Sequence, residues 1–81
     1  MKAYKEQILN RNLDILQESG LPFTYNPGPR VIMIRVPMVS ADFYPTMNKW
    51  KDNLCGQTIH YGDADQLLKW ICQIQEERDA K

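Results

Sequence analysis

Cys55, His60 and Asp63 are the residues of this 81-residue chain whose types and spacing could do chemistry. A thiol, an imidazole and a carboxylate within nine positions are the parts of a nucleophile, its general base and the group that orients the base. The same residues have plainer work available. Cys55 falls in a loop, His60 in a short strand, and Asp63 at a helix start, where a carboxylate accepts from exposed backbone amides. No motif ties the three together, and isolated nucleophile-like spacing carries little weight, so no catalytic residue and no enzymatic activity are expected. Cys55, His60 and Cys72 are the candidate metal ligands. Their spacing matches no paired-ligand zinc pattern, and Cys72 lies on the apolar stripe of a helix, where cysteine behaves as a small hydrophobe. A Cys55–Cys72 disulfide fits the spacing but not a reducing compartment. Gly28 and Gly56 are isolated, so there is no loop to cradle a phosphate. Neither a metal nor any other cofactor is expected.

Three blocks must position these residues. Residues 3–19 carry Ile8, Leu9, Leu13 and Leu16 at helical spacing, with Ile15 widening the stripe. Gly20 then supplies a left-handed cap, and Pro22 prevents continuation. Residues 22–61 read as antiparallel sheet. Phe23-Thr24-Tyr25 is a short strand, Asn26-Pro27-Gly28-Pro29 a turn, and Arg30 to Val36 the strongest strand, followed by a connection over Pro37 to Ser40. Thr58-Ile59-His60-Tyr61 adds a further short strand. Residues 64–78 form a second helix, capped by Asp63 with Gln66 three residues on and striped by Leu67, Leu68, Ile71, Cys72 and Ile74, before Glu76-Glu77-Arg78-Asp79 frays. The expected fold is α+β: one domain of helix, a meander of three to five strands, and helix, with both helices on one face of the sheet.

The run Asp42-Phe43-Tyr44-Pro45-Thr46-Met47-Asn48-Lys49-Trp50-Lys51 is the most structured segment by composition. Aromatics on both sides of a reversal read as a hairpin over 42–51. Asn48 tolerates positive φ cheaply, as the last position of a three-residue loop requires. Phe43 and Trp50 are expected in the core, which leaves Tyr44, Lys49 and Lys51 on the other side. Together with Met33, Arg35 and Met47 they form the expected binding surface, the methionines lending it adaptability.

Charge constrains what that surface meets. Ten basic residues balance ten acidic ones. A free-standing duplex binder normally carries a basic excess, so a protein partner is favoured over a polyanion. The helix–strands–helix order is shared with double-stranded RNA-binding domains. Asp63-Ala64-Asp65, however, stands where those domains need lysines to grip phosphates. A single strand stacked on Tyr44 and Trp50 and held by Lys49 and Lys51 of the 42–51 hairpin is the better nucleic-acid alternative. The uncovered sheet face could also pair two copies of the chain. The longest apolar run, Val31 to Ile34, is too short to span a membrane. Met1-Lys2-Ala3-Tyr4-Lys5-Glu6 lacks the apolar region of a signal peptide, so a cytoplasmic location with reduced thiols is expected.

Gly20, Asp42-Phe43-Tyr44-Pro45, Lys49-Trp50, Gly62 and Leu67-Leu68-Lys69-Trp70-Ile71 carry a resemblance over most of the chain. The chain resembles small orphan proteins encoded by bacteriophages and prophages. Those have a helix ending in Gly, an Asp-Phe-(Tyr or Trp)-Pro run closing on Lys-Trp, and a leucine-rich terminal helix. Asn48 departs from the pattern, which usually has Gly there. The shared motifs are structural and imply no activity. The resemblance implies a phage origin and a small protein that acts by stoichiometric binding to a host protein complex. Its purpose would be to inhibit a defence or nucleic-acid-processing system inside the host cell.

Overall fold

The computed structural model describes residues 2–79, with side chains from Tyr4 onward. The order is α1 (Lys2–Ser19), β1 (Thr24–Asn26), β2 (Val31–Val36), β3 (Val39–Tyr44), β4 (Lys49–Asp52), β5 (Thr58–Tyr61) and α2 (Ala64–Asp79). The strands form one antiparallel sheet in the order β1-β2-β3-β4-β5, a plain meander at the upper end of the expected strand number. Among the described residues no helix is long and apolar enough to cross a membrane.

Both helices cover the same face of the sheet. Leu16 of α1 and Ala64, Leu67 and Ile71 of α2 are buried in one cluster with Ile32, Ile34, Val39, Ala41, Phe43 and Trp50 of the sheet. Phe43 and Trp50 sit opposite each other in the β3–β4 register, with ring centroids 6.5 Å apart edge to face. Full burial of an aromatic of this size contributes about 2–3 kcal/mol. Gly20 adopts the left-handed conformation that ends α1, at φ 78°. Asp63 Oδ1 accepts from Gln66 N at 3.1 Å while Gln66 Oε1 accepts from Asp63 N at 3.1 Å, a reciprocal capping box at the start of α2.

The connections depart from the sequence reading in one consistent way. Arg30, Met38, Asn48 and Gln57 all have positive φ, and each stands immediately before a strand, β2 to β5 respectively. A left-handed residue at the end of a loop turns the chain sharply, so pairing resumes at the next position. Thus β2 begins at Val31 rather than Arg30. Pro37-Met38 alone makes the β2–β3 reversal, and Val39 and Ser40 belong to a strand, Val39 pairing with Val36. The β3–β4 loop has four residues, 45–48, rather than three. Met47 N donates to Tyr44 O at 3.0 Å across its first part, and Asn48 holds φ 51° at its last position.

Three polar residues tie the helix layer to the turns. Asn12, on the buried stripe of α1 and 1% exposed, donates from Nδ2 to Pro45 O at 2.7 Å and Asn48 Oδ1 at 3.0 Å, and accepts at Oδ1 from Ala64 N at 3.0 Å. It joins α1, the β3–β4 turn and the start of α2. Asp52, 2% exposed, takes Arg78 Nη2 at 2.7 Å, and Arg78 Nη1 donates to the Met38 carbonyl. Residues 76–79 therefore do not fray: Arg78 needs an ordered last turn of α2 to reach the buried carboxylate.

Candidate functional site

Strand alternation sorts the sheet into a covered and an open face. With Ile32, Ile34, Phe43 and Trp50 facing the helices, Met33, Arg35, Asp42, Tyr44, Lys49, Lys51, Ile59 and Tyr61 face away. The register aligns them in rows. Tyr44 pairs with Lys49, and Lys49 with Tyr61; Met33 pairs with Asp42, Asp42 with Lys51, and Lys51 with Ile59. Lys49 thus lies between two tyrosines, its Nζ 5.7 Å from the centroid of the Tyr44 ring, a cation–π contact. Tyr61 on the other flank is 76% exposed.

Asp42 is the electrostatic centre of the face. Its Oδ1 accepts from Arg35 Nη2 at 2.9 Å and its Oδ2 from Asn53 Nδ2 at 3.1 Å. Partial burial pushes its carboxyl up, but the hydrogen bonds from Arg35 and Asn53, with the charges of Arg35 and Lys51, outweigh this and hold it below its ordinary value. Arg35 also donates to Ile34 O and Ala41 O, so its guanidinium is held against the sheet rather than free to reach outward. Among the described residues the ion pairs are Arg35–Asp42 and Arg78–Asp52, and neither Lys49 nor Lys51 is in one. The face carries three cations against one carboxylate on a chain of zero formal charge. It is locally basic and apolar at its β5 side.

Five of the six residues expected at a binding surface share this face: Met33, Arg35, Tyr44, Lys49 and Lys51. Met47 sits apart in the β3–β4 turn and is 62% exposed. Ile59 and Tyr61 were missed. Their signal was available, since pairing Thr58-Ile59-His60-Tyr61 with the hairpin and placing Trp50 inward puts both outward.

The residues of catalytic type do not assemble. Cys55 is exposed in the β4–β5 loop. The His60 ring points to the helix layer, stacked on Trp50 at 5.5 Å and tilted against Trp70 at 5.3 Å between centroids. Asp63 is engaged in its cap. Cys72 is exposed, contrary to the expectation that it lies in the core. The buried line of α2 runs Ala64, Leu67, Ile71, and the position after Ile71 is turned about 100° away from it. Cys72 instead borders an open groove of about 400 Å³ with Pro37, Met38, Gln75, Glu76 and Asp79. Gln75 Nε2 donates to Pro37 O at 2.9 Å on one side of that groove. Among the described residues no three His, Cys, Asp or Glu side chains stand close enough together to hold a metal ion.

Comparison with protein-family models, with curated proteins and with solved structures finds no match to this chain.

Proposed function

We propose that this protein is a non-enzymatic binding module that docks the open face of its sheet stoichiometrically on a larger protein. The observation that carries this is the composition of that face: Tyr44, Tyr61, Met33 and Ile59 stand in register with Lys49 and Lys51, and no element among the described residues covers them. Exposed aromatic and methionine side chains are what protein interfaces concentrate at their centres, with lysines suited to the polar rim, and the fold does not need them there. The resemblance to phage-encoded orphan proteins adds a setting: the partner is a host protein complex in the cytoplasm, and binding inhibits a defence or nucleic-acid-processing function.

Lys49→Glu combined with Lys51→Glu tests the reading. Both side chains are outward, so the protein should stay folded with a total loss of about 1 kcal/mol, because Lys51→Glu sets a carboxylate opposite Asp42 and Lys49→Glu removes the contact with Tyr44. Partner capture from nuclease-treated host lysate should fall sharply. Capture of the same proteins by wild type and double variant would refute the role of this face.

One observation favours a second reading. Lys49 flanked by Tyr44 and Tyr61 is the alternation of cation and stacking ring that single-stranded nucleic acid uses. A fluorescent oligonucleotide titrated at low and at physiological salt separates the two. Zero net charge leads us to expect no retention at physiological salt, whereas a tight complex lost steeply as salt rises would reverse the ranking.

A further inference from the structure

We infer that β5 is a self-pairing edge and that the protein associates with a second copy of itself by antiparallel β5–β5 addition. The proposal rests on the backbone of the sheet edge rather than on what the open face binds, although it shares Ile59 and Tyr61 with that face.

The two edges of the sheet are treated differently. β1 has three residues and is bracketed by Pro22 and Pro27, which shorten it and remove donors from its surroundings. β5 has four, Thr58-Ile59-His60-Tyr61, with neither a formal charge nor a proline among them. Apart from its shortness, β5 carries none of the usual protection against edge pairing: no lysine, no proline and no inward charge.

Its free backbone groups can be placed. Antiparallel ladders alternate bonded and non-bonded pairs. Gly62 N donates to Asn48 O at 2.8 Å, which makes Trp50–His60 and Asp52–Thr58 the bonded pairs of the β4–β5 ladder. Asn53 N donating to Ser40 O at 2.8 Å agrees, since it turns Lys49 and Lys51 toward β3 and leaves Trp50 and Asp52 for β5. Ile59 and Tyr61 therefore direct both N–H and C=O away from the sheet.

A two-fold axis at His60 satisfies all of them at once. Ile59 of one copy meets Tyr61 of the other in a bonded pair, and the reverse, giving four backbone hydrogen bonds. The same register brings the side chains of Ile59 and Tyr61, 46% and 76% exposed, into contact on the open face. An aliphatic–aromatic cross-strand pair is favourable, and this arrangement makes it twice. The nearest lysines across the junction lie three strand spacings apart, about 14 Å, beyond the screening length at physiological salt. The junction is small, so association should depend on concentration.

Light scattering across a concentration series, with amide hydrogen exchange at the two extremes, tests this. The mass should rise toward twice that of one chain. The Ile59 and Tyr61 amides should gain roughly tenfold protection at high concentration while those of Thr58 and His60 do not change. Ile59→Lys should remain monomeric at every concentration, and Tyr44→Ala, which alters the face but not the edge, should pair like wild type. A wild type that stays monomeric overturns the proposal. So does a doubling of mass without added protection at Ile59 and Tyr61. The exchange comparison is made on the wild type, so it decides the matter even where a variant fails to fold.

Discussion

Asn12→Leu is the sharpest probe of how this fold is held together. Leucine matches asparagine in shape and suits the α1 stripe, but it cannot donate to Pro45 O or accept from Ala64 N, bonds of 2.7 and 3.0 Å in the native protein. Pro45 and Ala64 are both buried, so water cannot replace either bond. Each orphaned buried group costs about 1–3 kcal/mol. Burial of the leucine side chain offsets about 1–2 kcal/mol of that. The net loss is about 2–3 kcal/mol, near half the stability of roughly 5 kcal/mol expected for a domain this small. Thermal unfolding followed by circular dichroism should show a fall of roughly 10–20 °C, since a domain of this size loses about 4–8 °C per kcal/mol. Asn12→Asp keeps the acceptor for Ala64 but sets a buried carboxylate against the Pro45 carbonyl, and should melt lower still at neutral pH. An Asn12→Leu protein melting within about 3 °C of wild type would refute the reasoning, because the three-way bond would then be dispensable.

Other substitutions test separate parts of the account. Arg78→Met leaves the Asp52 carboxylate buried and unpaired; because Arg78 is partly exposed, the cost should sit somewhat below that of a fully buried pair, about 2–3 kcal/mol by urea denaturation. The folded-state pKa of Asp42 is depressed, so its contribution to stability is fully present above the unfolded value and is lost as pH falls through 3.8 and below. Asp42→Asn should accordingly flatten the acid limb of the stability profile by lowering the neutral plateau, while stability well below pH 3.8 stays close to that of wild type. Gln57→Gly removes a left-handed strain at φ 59° in an exposed loop and should raise stability by about 0.5 kcal/mol, measurable as a shift of the urea midpoint at constant slope.

The sequence declared those parts of the fold that rest on local rules. The α1 stripe and Gly20, the Asp63–Gln66 box, and the inward placing of Phe43 and Trp50 against Lys49 and Lys51 all follow from period and cap chemistry within a few residues. What the sequence concealed depends on distant partners or on backbone that side chains do not advertise. Asn12 lies on the helical stripe four residues from Ile8 and from Leu16, and only the turn it meets 33 residues later explains a polar group there. Asp52 looks solvated beside Lys51 until Arg78 reaches it across 26 positions. Met38 and Gln57 carry no mark of left-handed conformation, so the β2–β3 turn is shorter than its composition implied. Cys72 was misplaced by a single position on a helix, enough to move it from the core to the surface.

The division of labour between the two faces of the sheet bears on function. The helix side holds the buried polar ties, Asn12 to the β3–β4 turn and Arg78 to Asp52, and every fully buried apolar side chain named above. Changes there act first on folding. The open side has few such obligations: Asp42 and Arg35 brace each other on the surface, and Tyr44, Lys49, Ile59 and Tyr61 make no contact that the core depends on. Stability alone gives no reason to keep a tyrosine 76% exposed at a sheet edge beside an exposed isoleucine. In a domain with about 5 kcal/mol to hold it together, apolar surface that contributes nothing to the fold is an aggregation hazard. Its persistence is explained if another surface covers it, through the edge in self-pairing or across the face in docking. Because the residues concerned are uncoupled from the core, substitutions at Tyr44, Lys49, Lys51 and Ile59 can separate binding from folding.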